Sequence, residues 1–302
     1  MVSWRAQTIS WLLWFFSKGN WTSAEAIRKR IAYMRRYPPD YRPSPAFRTE
    51  YMVDEREAGG HPVFDISTKS ETANKARILY IHGGAFVFEI LPKHWDFIGL
   101  LAQRLEAVVT VPIIPLGPEH TLADMYAMLQ PIYDDMAASR DESPLFVMGD
   151  SAGGCMSLVA TQQAIKAGKR AAAGLVLITP IVDATFTNPD AHAVSQRDPW
   201  LDVVGCTEVA QLVRGDWEID DARVSPILGE VDKLPPTMVL VAENDFLGPD
   251  AVRFVEKLRA AGRDVKLVEG AGLMHVWPLV LPNHDGKDAI DDMVSWLEGL
   301  IA

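Results

Sequence analysis

One serine of this chain lies between glycines two residues away on either side, in the segment Met148-Gly149-Asp150-Ser151-Ala152-Gly153. In a Gly-x-Ser-x-Gly pattern the serine occupies a sharp, strained turn between a strand and a helix, where a side chain at either glycine would collide with a neighbouring element. An apolar run from Pro144 to Met148 precedes the turn, and small and apolar residues recur at helical spacing from Ala152 to Ala167. Ser151 is therefore predicted to be a nucleophile.

A second glycine cluster stands earlier in the chain, in the segment Ile81-His82-Gly83-Gly84-Ala85-Phe86, after another apolar run. Gly83 precedes the serine by 68 residues. Acyl transfer develops a negative charge on oxygen, which backbone N–H groups can stabilise where small residues allow a close approach. We therefore expect an oxyanion hole formed by the amides of Gly83, Gly84 and Ala152, and a hydrogen bond through which His82 braces the loop.

The two motifs together resemble the hormone-sensitive-lipase-like branch of the α/β-hydrolase superfamily, the bacterial family IV carboxylesterases, which joins a His-Gly-Gly loop to a Gly-Asp-Ser-Ala-Gly-Gly turn. The resemblance continues through Pro118-Glu119-His120, Ser225-Pro226-Ile227-Leu228 and Met274-His275-Val276-Trp277, and it covers roughly residues 75 to 300. It implies an α/β-hydrolase fold and carboxylesterase activity. One departure is Ala85, which stands where the family usually has a third glycine. Its methyl group is expected to leave the amide donors intact and to narrow the acyl side of the site.

A serine hydroxyl needs a base that removes its proton and a carboxylate that orients the base. In this fold the chain order is serine, acid, histidine, and the histidines that follow the serine are His192, His275 and His284. His275 comes shortly after the strand predicted over 264–269, which we expect Gly270-Ala271-Gly272 to end. His275 is therefore the predicted base, whereas His192 and His284 are expected to be exposed.

The acid is predicted from the strand over 237–242, an apolar and β-branched run that continues into Glu243-Asn244-Asp245. A carboxylate at the carboxyl end of a strand can reach the crevice above a parallel sheet. The family resemblance favours Asp245 as the orienting acid and Asp250 as a second, structural acid. Glu243 stays the competing candidate for the acid. It lies closer to the strand and could instead cap or pair locally.

Apolar runs that alternate with helical segments indicate the strands of a mostly parallel sheet. These runs cover residues 76–81, 108–114, 144–148, 174–179, 237–242 and 264–269. An antiparallel start is predicted from Tyr51 to Glu57 and from Pro62 to Ser67, joined around Gly59-Gly60. We predict an α/β-hydrolase fold with helices on both faces of the sheet and a helical cap. Residues 49–302 would form the catalytic domain, residues 1–48 an N-terminal cap segment, and about 183–218 a second cap insert.

Composition narrows the classes of partner and cofactor. The chain has 302 residues and a net charge of −11, which disfavours nucleic acid because phosphate contacts require a basic surface. The two cysteines, Cys155 and Cys206, are too few for a disulfide framework and favour a reducing, cytoplasmic compartment. The sequence contains no familiar metal-binding or nucleotide-binding motif, and triad chemistry needs no cofactor. The expected partner is a small ester or lactone.

The first 48 residues are basic and rich in tryptophan: they hold nine Lys or Arg and two acidic residues, so the remaining 254 residues carry a charge of −18. Trp4, Trp11, Trp14 and Trp21 recur at spacings that place them along one side of a helix. A cap helix that docks over the active site is favoured, and a helix on a membrane surface is the alternative. The apolar run Trp11–Phe16 is far short of the ~20 residues of a transmembrane span, and no signal-peptide cleavage pattern follows it.

Three aromatic residues are candidates to line the substrate pocket: Phe86, Trp200 and Trp277. The sequence as a whole predicts a serine carboxylic-ester hydrolase that acts on small to medium apolar esters through an acyl-enzyme. A lactone hydrolase with the same triad stays open, because a lactone differs only in that its alcohol and acyl groups are tethered. Less favoured alternatives are a ligand-binding member of the fold without turnover and a peripheral membrane lipase.

Overall fold

The computed structural model describes residues 2–70, 75–139, 143–282 and 284–301. Helices and strands alternate along most of this length. The helices are α1 (Trp4–Phe16), α2 (Ala24–Arg36), α3 (Pro45–Glu50), α4 (Pro92–Arg104), α5 (Leu122–Ala138), α6 (Ala152–Lys166), α7 (Pro189–Ser195), α8 (Val203–Val213), α9 (Gly248–Ala260), α10 (Trp277–Val280) and α11 (Lys287–Ile301). The strands are β1 (Tyr51–Ala58), β2 (His61–Thr68), β3 (Ala76–Ile81), β4 (Ala107–Pro112), β5 (Leu145–Asp150), β6 (Gly174–Ile178), β7 (Thr237–Asn244) and β8 (Val265–Met274).

The strands form one sheet in the order β1-β2-β4-β3-β5-β6-β7-β8. β2 pairs antiparallel with β1 and β4, and the remaining neighbours run parallel. The β1–β2 hairpin turns through Gly59 and Gly60, whose φ angles of 58° and 80° are accessible mainly to glycine. The predicted mostly parallel sheet with an antiparallel start is confirmed.

Helices cover both faces of this sheet, as the fold class requires. On one face α5, α6 and α9 bury residues such as Leu129, Val159 and Phe254 in one apolar cluster. On the other face α4 and α11 bury residues such as Ile98 and Val294 in a second cluster. Because both faces are covered, β5 and β6 are buried along their whole length, which explains why β6 and the first four residues of β5 are apolar.

Strand β8 is longer than the sequence predicts. We expected Gly270-Ala271-Gly272 to end it, and that expectation is wrong: β8 continues to Met274. Its pairing with β7 continues to Ala242 opposite Gly270, shifts in register, and resumes with Asn244 opposite Met274. The shift accommodates the glycines as an irregularity within the strand instead of a stop. His275 consequently follows directly on the end of a strand.

The predicted helix that carries four tryptophans along one side is also corrected. Helix α1 ends at Phe16, and Trp21 follows a 3-10 turn over Lys18–Asn20 and is buried, whereas Trp4, Trp11 and Trp14 are exposed. The side chain of Lys18 is buried and donates to backbone carbonyls of the 183–218 segment, which directs the chain away from the axis of α1. Within the described ranges, no helix combines the length and the apolar character needed to cross a bilayer.

Candidate active site

Ser151 stands at the turn between β5 and α6 with a φ of 54° and a ψ of −118°, a strained conformation for a residue with a side chain. The glycines on either side permit this turn. A Cβ at Gly153 would collide with the carbonyl group of Ile81, and one at Gly149 would lie 2.6 Å from the Oγ of Ser157. The sequence pattern therefore forms the strand-to-helix turn that was predicted from it.

The predicted base and acid are hydrogen-bonded to each other. Nδ1 of His275 lies 2.7 Å from Oδ2 of Asp245, and both side chains are buried. With the carboxylate ionised, Nδ1 donates this bond and leaves Nε2 free to accept a proton. Ser151 and His275 line the same cavity, and the structure therefore brings Ser151, His275 and Asp245 together.

The surroundings of His275 set its proton affinity. Burial by itself would lower the pKa of His275, but the charge of Asp245, its hydrogen bond, and the charges of Asp198 and Asp150 outweigh burial and raise the pKa above its usual value. A histidine in such a site is well suited to hold the proton that the serine gives up during attack.

The competing acids and histidines lie elsewhere. Oε2 of Glu243 accepts a hydrogen bond from the backbone N–H of Gly272 at 2.7 Å, so Glu243 pairs locally. Asp250 accepts from Asn188 at 2.9 Å and from Arg253 at 2.6 Å, which agrees with a structural acid. His192 and His284 are exposed, as expected.

One predicted oxyanion donor is corrected. The N–H of Gly83 donates to Oδ1 of Asp150 at 3.0 Å, and Gly83 does not line the cavity. Gly84 and Ala85 do line it, and among the described residues the amides of Gly84, Ala85 and Ala152 have no protein acceptor. Ala85, at a φ of 52°, therefore replaces Gly83 as a candidate donor beside Gly84 and Ala152.

Asp150, the residue inside the Gly-x-Ser-x-Gly pattern, holds the oxyanion loop against the turn. Besides the Gly83 amide, it accepts a 2.6 Å hydrogen bond from Tyr80 and lies 3.3 Å from Nε2 of His94. Burial would raise the pKa of Asp150, but His94 and these hydrogen bonds lower it overall, so the carboxyl stays ionised. Nδ1 of His82 lies 2.6 Å from the carbonyl oxygen of Gly83, which confirms that His82 braces the loop. Sequence reasoning missed the role of Asp150, although it lies in the motif itself.

The fold and the site agree with the comparison to known families. A family model described as alpha/beta hydrolase fold matches residues 78–279. The chain belongs to the α/β-hydrolase family. An esterase of Acinetobacter venetianus is 28% identical over 201 residues, which are 66% of this chain and 66% of that protein, just under two thirds.

Other relatives of this α/β-hydrolase match over more of their length. A carboxylesterase of Mycobacterium tuberculosis, NlhH, is 27% identical over 84% of this chain and 83% of that protein. The solved structure of a hormone-sensitive lipase from a metagenome library superimposes with a TM-score of 0.81 at 22% identity, covering 97% of this chain and 98% of that one. The predicted membership of the α/β-hydrolase family is confirmed. The relatives named above are an esterase, a carboxylesterase and a hormone-sensitive lipase, in agreement with the resemblance that the motifs indicate.

The cavity of this hydrolase encloses about 240 Å³ and is largely apolar. Trp200 lines it, as predicted, and its ring contacts the ring of His275 edge to face with 5.9 Å between the centroids. Phe86 and Trp277 do not line it. Phe86 packs into the apolar cluster beneath the loop, and Trp277 packs against Gly270 in the opposite cluster, because both rings point into the protein core. Sequence reasoning missed other lining residues, among them Trp21, Met34, Phe88, Ile181, Leu247 and Val276.

The N-terminal segment of the hydrolase and its 183–218 segment contact each other above this cavity. Nζ of Lys18 donates to the carbonyl oxygens of Ser195, at 2.8 Å, and Leu201, and lies 3.1 Å from Oδ2 of Asp202. Ser17, which precedes Lys18, lines the cavity, as does Leu201. The two segments therefore share a buried ionic contact beside the site.

Asp198 joins the 183–218 segment to the loop of the catalytic acid. It is fully buried and accepts hydrogen bonds from the backbone N–H groups of Trp200 at 2.8 Å, Leu201 at 2.9 Å and Phe246 at 3.0 Å. Burial and the neighbouring charge of Asp245 raise the pKa of Asp198 to about 6. The sequence predicts a cap insert over about 183–218, but it does not reveal that Asp198 lies beside the loop of Asp245.

Proposed function

We propose that this protein is a serine carboxylic-ester hydrolase that acts on small to medium apolar esters through an acyl-enzyme. The observation that carries the proposal is the His275–Asp245 hydrogen bond of 2.7 Å, formed beside a cavity that His275 shares with Ser151 and the oxyanion loop. The cavity volume of about 240 Å³ lies just below the ~300–1,000 Å³ range of ligand pockets, which supports small esters.

A residue can be assigned to each step of the proposed reaction. His275 accepts the proton of Ser151 through Nε2 while Oγ attacks the ester carbonyl. The amides of Gly84, Ala85 and Ala152 stabilise the charge that develops on the carbonyl oxygen. The protonated His275 then donates to the departing alkoxide, and water attacks the acyl-enzyme by the same route. The raised pKa of His275 favours the imidazolium that forms in both steps.

The proposal is tested by Ser151→Ala. We expect kcat/KM for p-nitrophenyl butyrate to fall by about 10⁴-fold or more, because the variant lacks the atom that forms the acyl-enzyme. Ser295→Ala, at an exposed position of α11, serves as the matched control and should keep full activity. If Ser151→Ala hydrolysed the ester at the wild-type rate, the serine mechanism would be wrong. If the wild-type protein hydrolysed no ester or lactone, a ligand-binding role without turnover would replace it.

Ester hydrolysis and lactone hydrolysis by the same triad are distinguished by comparing the hydrolysis rates of the two kinds of substrate. Opening a lactone uses the same proton transfers, so the comparison must come from matched substrates of equal carbon number. We expect linear esters to be hydrolysed faster than the corresponding cyclic esters. A consistent preference for the cyclic members, lost in Ser151→Ala, would assign the protein as a lactone hydrolase instead.

We also propose that helix α1 contacts an anionic lipid surface. Large apolar side chains of α1 are exposed over much of their area, including Trp4 at 70%, Trp11 at 59%, Phe15 at 64% and Phe16 at 76%. Tryptophan and phenylalanine suit the membrane interface, and the basic first 48 residues complement anionic headgroups. Ser17, which follows the helix directly, lines the active-site cavity, so a helix at the lipid surface would hold the cavity beside it.

A further inference from the structure

Glu89 brings an unpartnered carboxylate oxygen into the active-site cavity. The residue lines the cavity and is partly buried, and its Oε2 is shielded from solvent with no hydrogen-bond partner among the described residues. Its neighbours in the lining include apolar side chains such as Phe88, Ile181 and Leu247. A buried acceptor without a donor is costly, and a carboxylate is more costly than a neutral group. A substrate that supplies the donor would remove this cost.

The backbone just before Glu89 is held by hydrogen bonds and belongs to the oxyanion loop. The N–H groups of Val87 and Phe88 donate to the carbonyl oxygen of Gly84 at 3.0 and 2.8 Å, which closes a tight turn just before Glu89. Nη1 of Arg35 donates to the carbonyl oxygen of Val87 at 2.9 Å and ties the same turn to α2. The carboxylate is therefore presented from the loop that also supplies the oxyanion amides, and it lines the same cavity as they do.

Nearby charges decide which kind of donor fits. Burial raises the pKa of Glu89, and the positive charge of Arg35 acts in the opposite direction. Arg30 lines the same cavity. Two guanidinium groups repel a cationic substrate group, so an ammonium is disfavoured beside Glu89. A hydroxyl group donates a hydrogen bond without adding charge and fits these surroundings better.

We infer that the preferred esters of this enzyme carry a hydroxyl group that donates a hydrogen bond to Glu89. The inference rests on the proposed ester hydrolysis and adds a substrate class to it. Glu89 acts here as a specificity residue, because it contacts the substrate away from the scissile bond. Removing it takes away the acceptor of the substrate hydroxyl in a largely apolar cavity, so the loss falls on hydroxylated esters selectively.

The test compares isosteric ester pairs in which a hydroxyl replaces a methyl group. Ethyl β-hydroxybutyrate against ethyl isovalerate places the hydroxyl on the acyl side, and glycol monobutyrate against propyl butyrate places it on the alcohol side. The measured quantity is the kcat/KM of the hydroxylated ester divided by the kcat/KM of its methyl counterpart. Because both rates come from one protein preparation, the ratio does not depend on the folded fraction of a variant.

In at least one pair, we expect Glu89→Met to lower the ratio by about tenfold relative to wild type, with Glu89→Gln between the two because its amide keeps one acceptor oxygen. Glu298→Gln, at an exposed position of α11, should keep the wild-type ratio. Equal ratios for wild type and Glu89→Met in both pairs would overturn the inference while leaving ester hydrolysis intact. If the wild-type protein hydrolysed none of the four esters, that result would instead count against the proposed function.

Discussion

At the residue scale, the protonation of His275 is controlled by carboxylates on three different segments. Asp245 bonds it directly, whereas Asp198 and Asp150 act through their charge, and together they raise its pKa although burial opposes them. The base must be neutral to accept the serine proton, so activity is lost as the pH falls through this raised pKa. The acid limb of the pH profile therefore reports on these carboxylates.

Asp198→Asn tests this control. The pKa of Asp198 is about 6, so the group is ionised at the pH where His275 titrates, and the substitution removes a negative charge that favours the imidazolium. We expect the acid limb of kcat/KM to move to lower pH, measured on one p-nitrophenyl ester from acid to neutral pH. Asp190→Asn, an exposed residue of α7, should leave the profile in place. An unchanged or upward-shifted limb in Asp198→Asn would show that its charge does not reach His275.

The role of a residue could be predicted from the sequence where that role depends on chain order. The prediction fails where the role depends on the direction of the backbone. Ser151 and His275 follow from a motif and the order of strands, whereas the choice of Asp245 over Glu243 comes from the family resemblance. The amide of Gly83 points to Asp150, and Ala85 takes a φ of 52°, and neither fact is encoded in composition. Likewise, Trp200 lines the cavity while Trp277 is core, because the side of the backbone on which a ring lies depends on the packed fold.

At the element scale, the sheet was predictable and the segments above it were less so. Strands β3, β5, β6 and β7 are mostly buried and mostly apolar, so their sequences predict them. The predicted end of β8 is wrong because glycines that usually end a strand are accommodated here by a register shift against β7. The contact between the N-terminal and 183–218 segments includes long-range ion pairs, Lys18 with Asp202 and Arg28 with Glu208, which one sequence does not reveal.

Lys18→Met is predicted to weaken this contact between segments. The ammonium donates to two buried carbonyls and pairs with Asp202, so its loss leaves three acceptors unsatisfied and should lower the free energy of unfolding by roughly 3 kcal/mol. Lys29→Met is the matched control: its pair with Glu25 is exposed at 75% and 76%, and removing it should cost less than about 0.5 kcal/mol. Denaturant unfolding followed by circular dichroism measures both. Equal losses in the two variants would contradict a structural role for the buried lysine.

At the scale of the whole molecule, charge and apolar surface are divided unevenly along the chain. The first 48 residues are basic and the remaining 254 carry a charge of −18. Helix α1 is anchored at its start by the bond from the Ser3 N–H to Asp285 at 2.9 Å and by burial of Ala6, while most of its aromatic side chains face solvent. A helix fixed to the body in this way can present those aromatic side chains to a lipid surface without unfolding.

The proposed lipid contact is tested by replacing Trp4, Trp11, Phe15 and Phe16 with serine and measuring co-sedimentation with phosphatidylserine-containing vesicles. We expect the substitutions to weaken binding at least about tenfold, since each removed ring loses buried apolar area at the interface, and added salt to weaken binding of the wild type. Serine at Tyr33 of α2 and at Tyr37, the residue after the helix, provides an aromatic control that should still bind; the two side chains are exposed at 55% and 56%. Hydrolysis of soluble p-nitrophenyl acetate should be unaffected by the α1 substitutions, because none of the four side chains lines the cavity. The lipid contact would be rejected if the wild-type protein did not bind the vesicles but formed a dimer that the α1 substitutions dissociate. Helix α1 would then be assigned to the contact with a second copy of the chain.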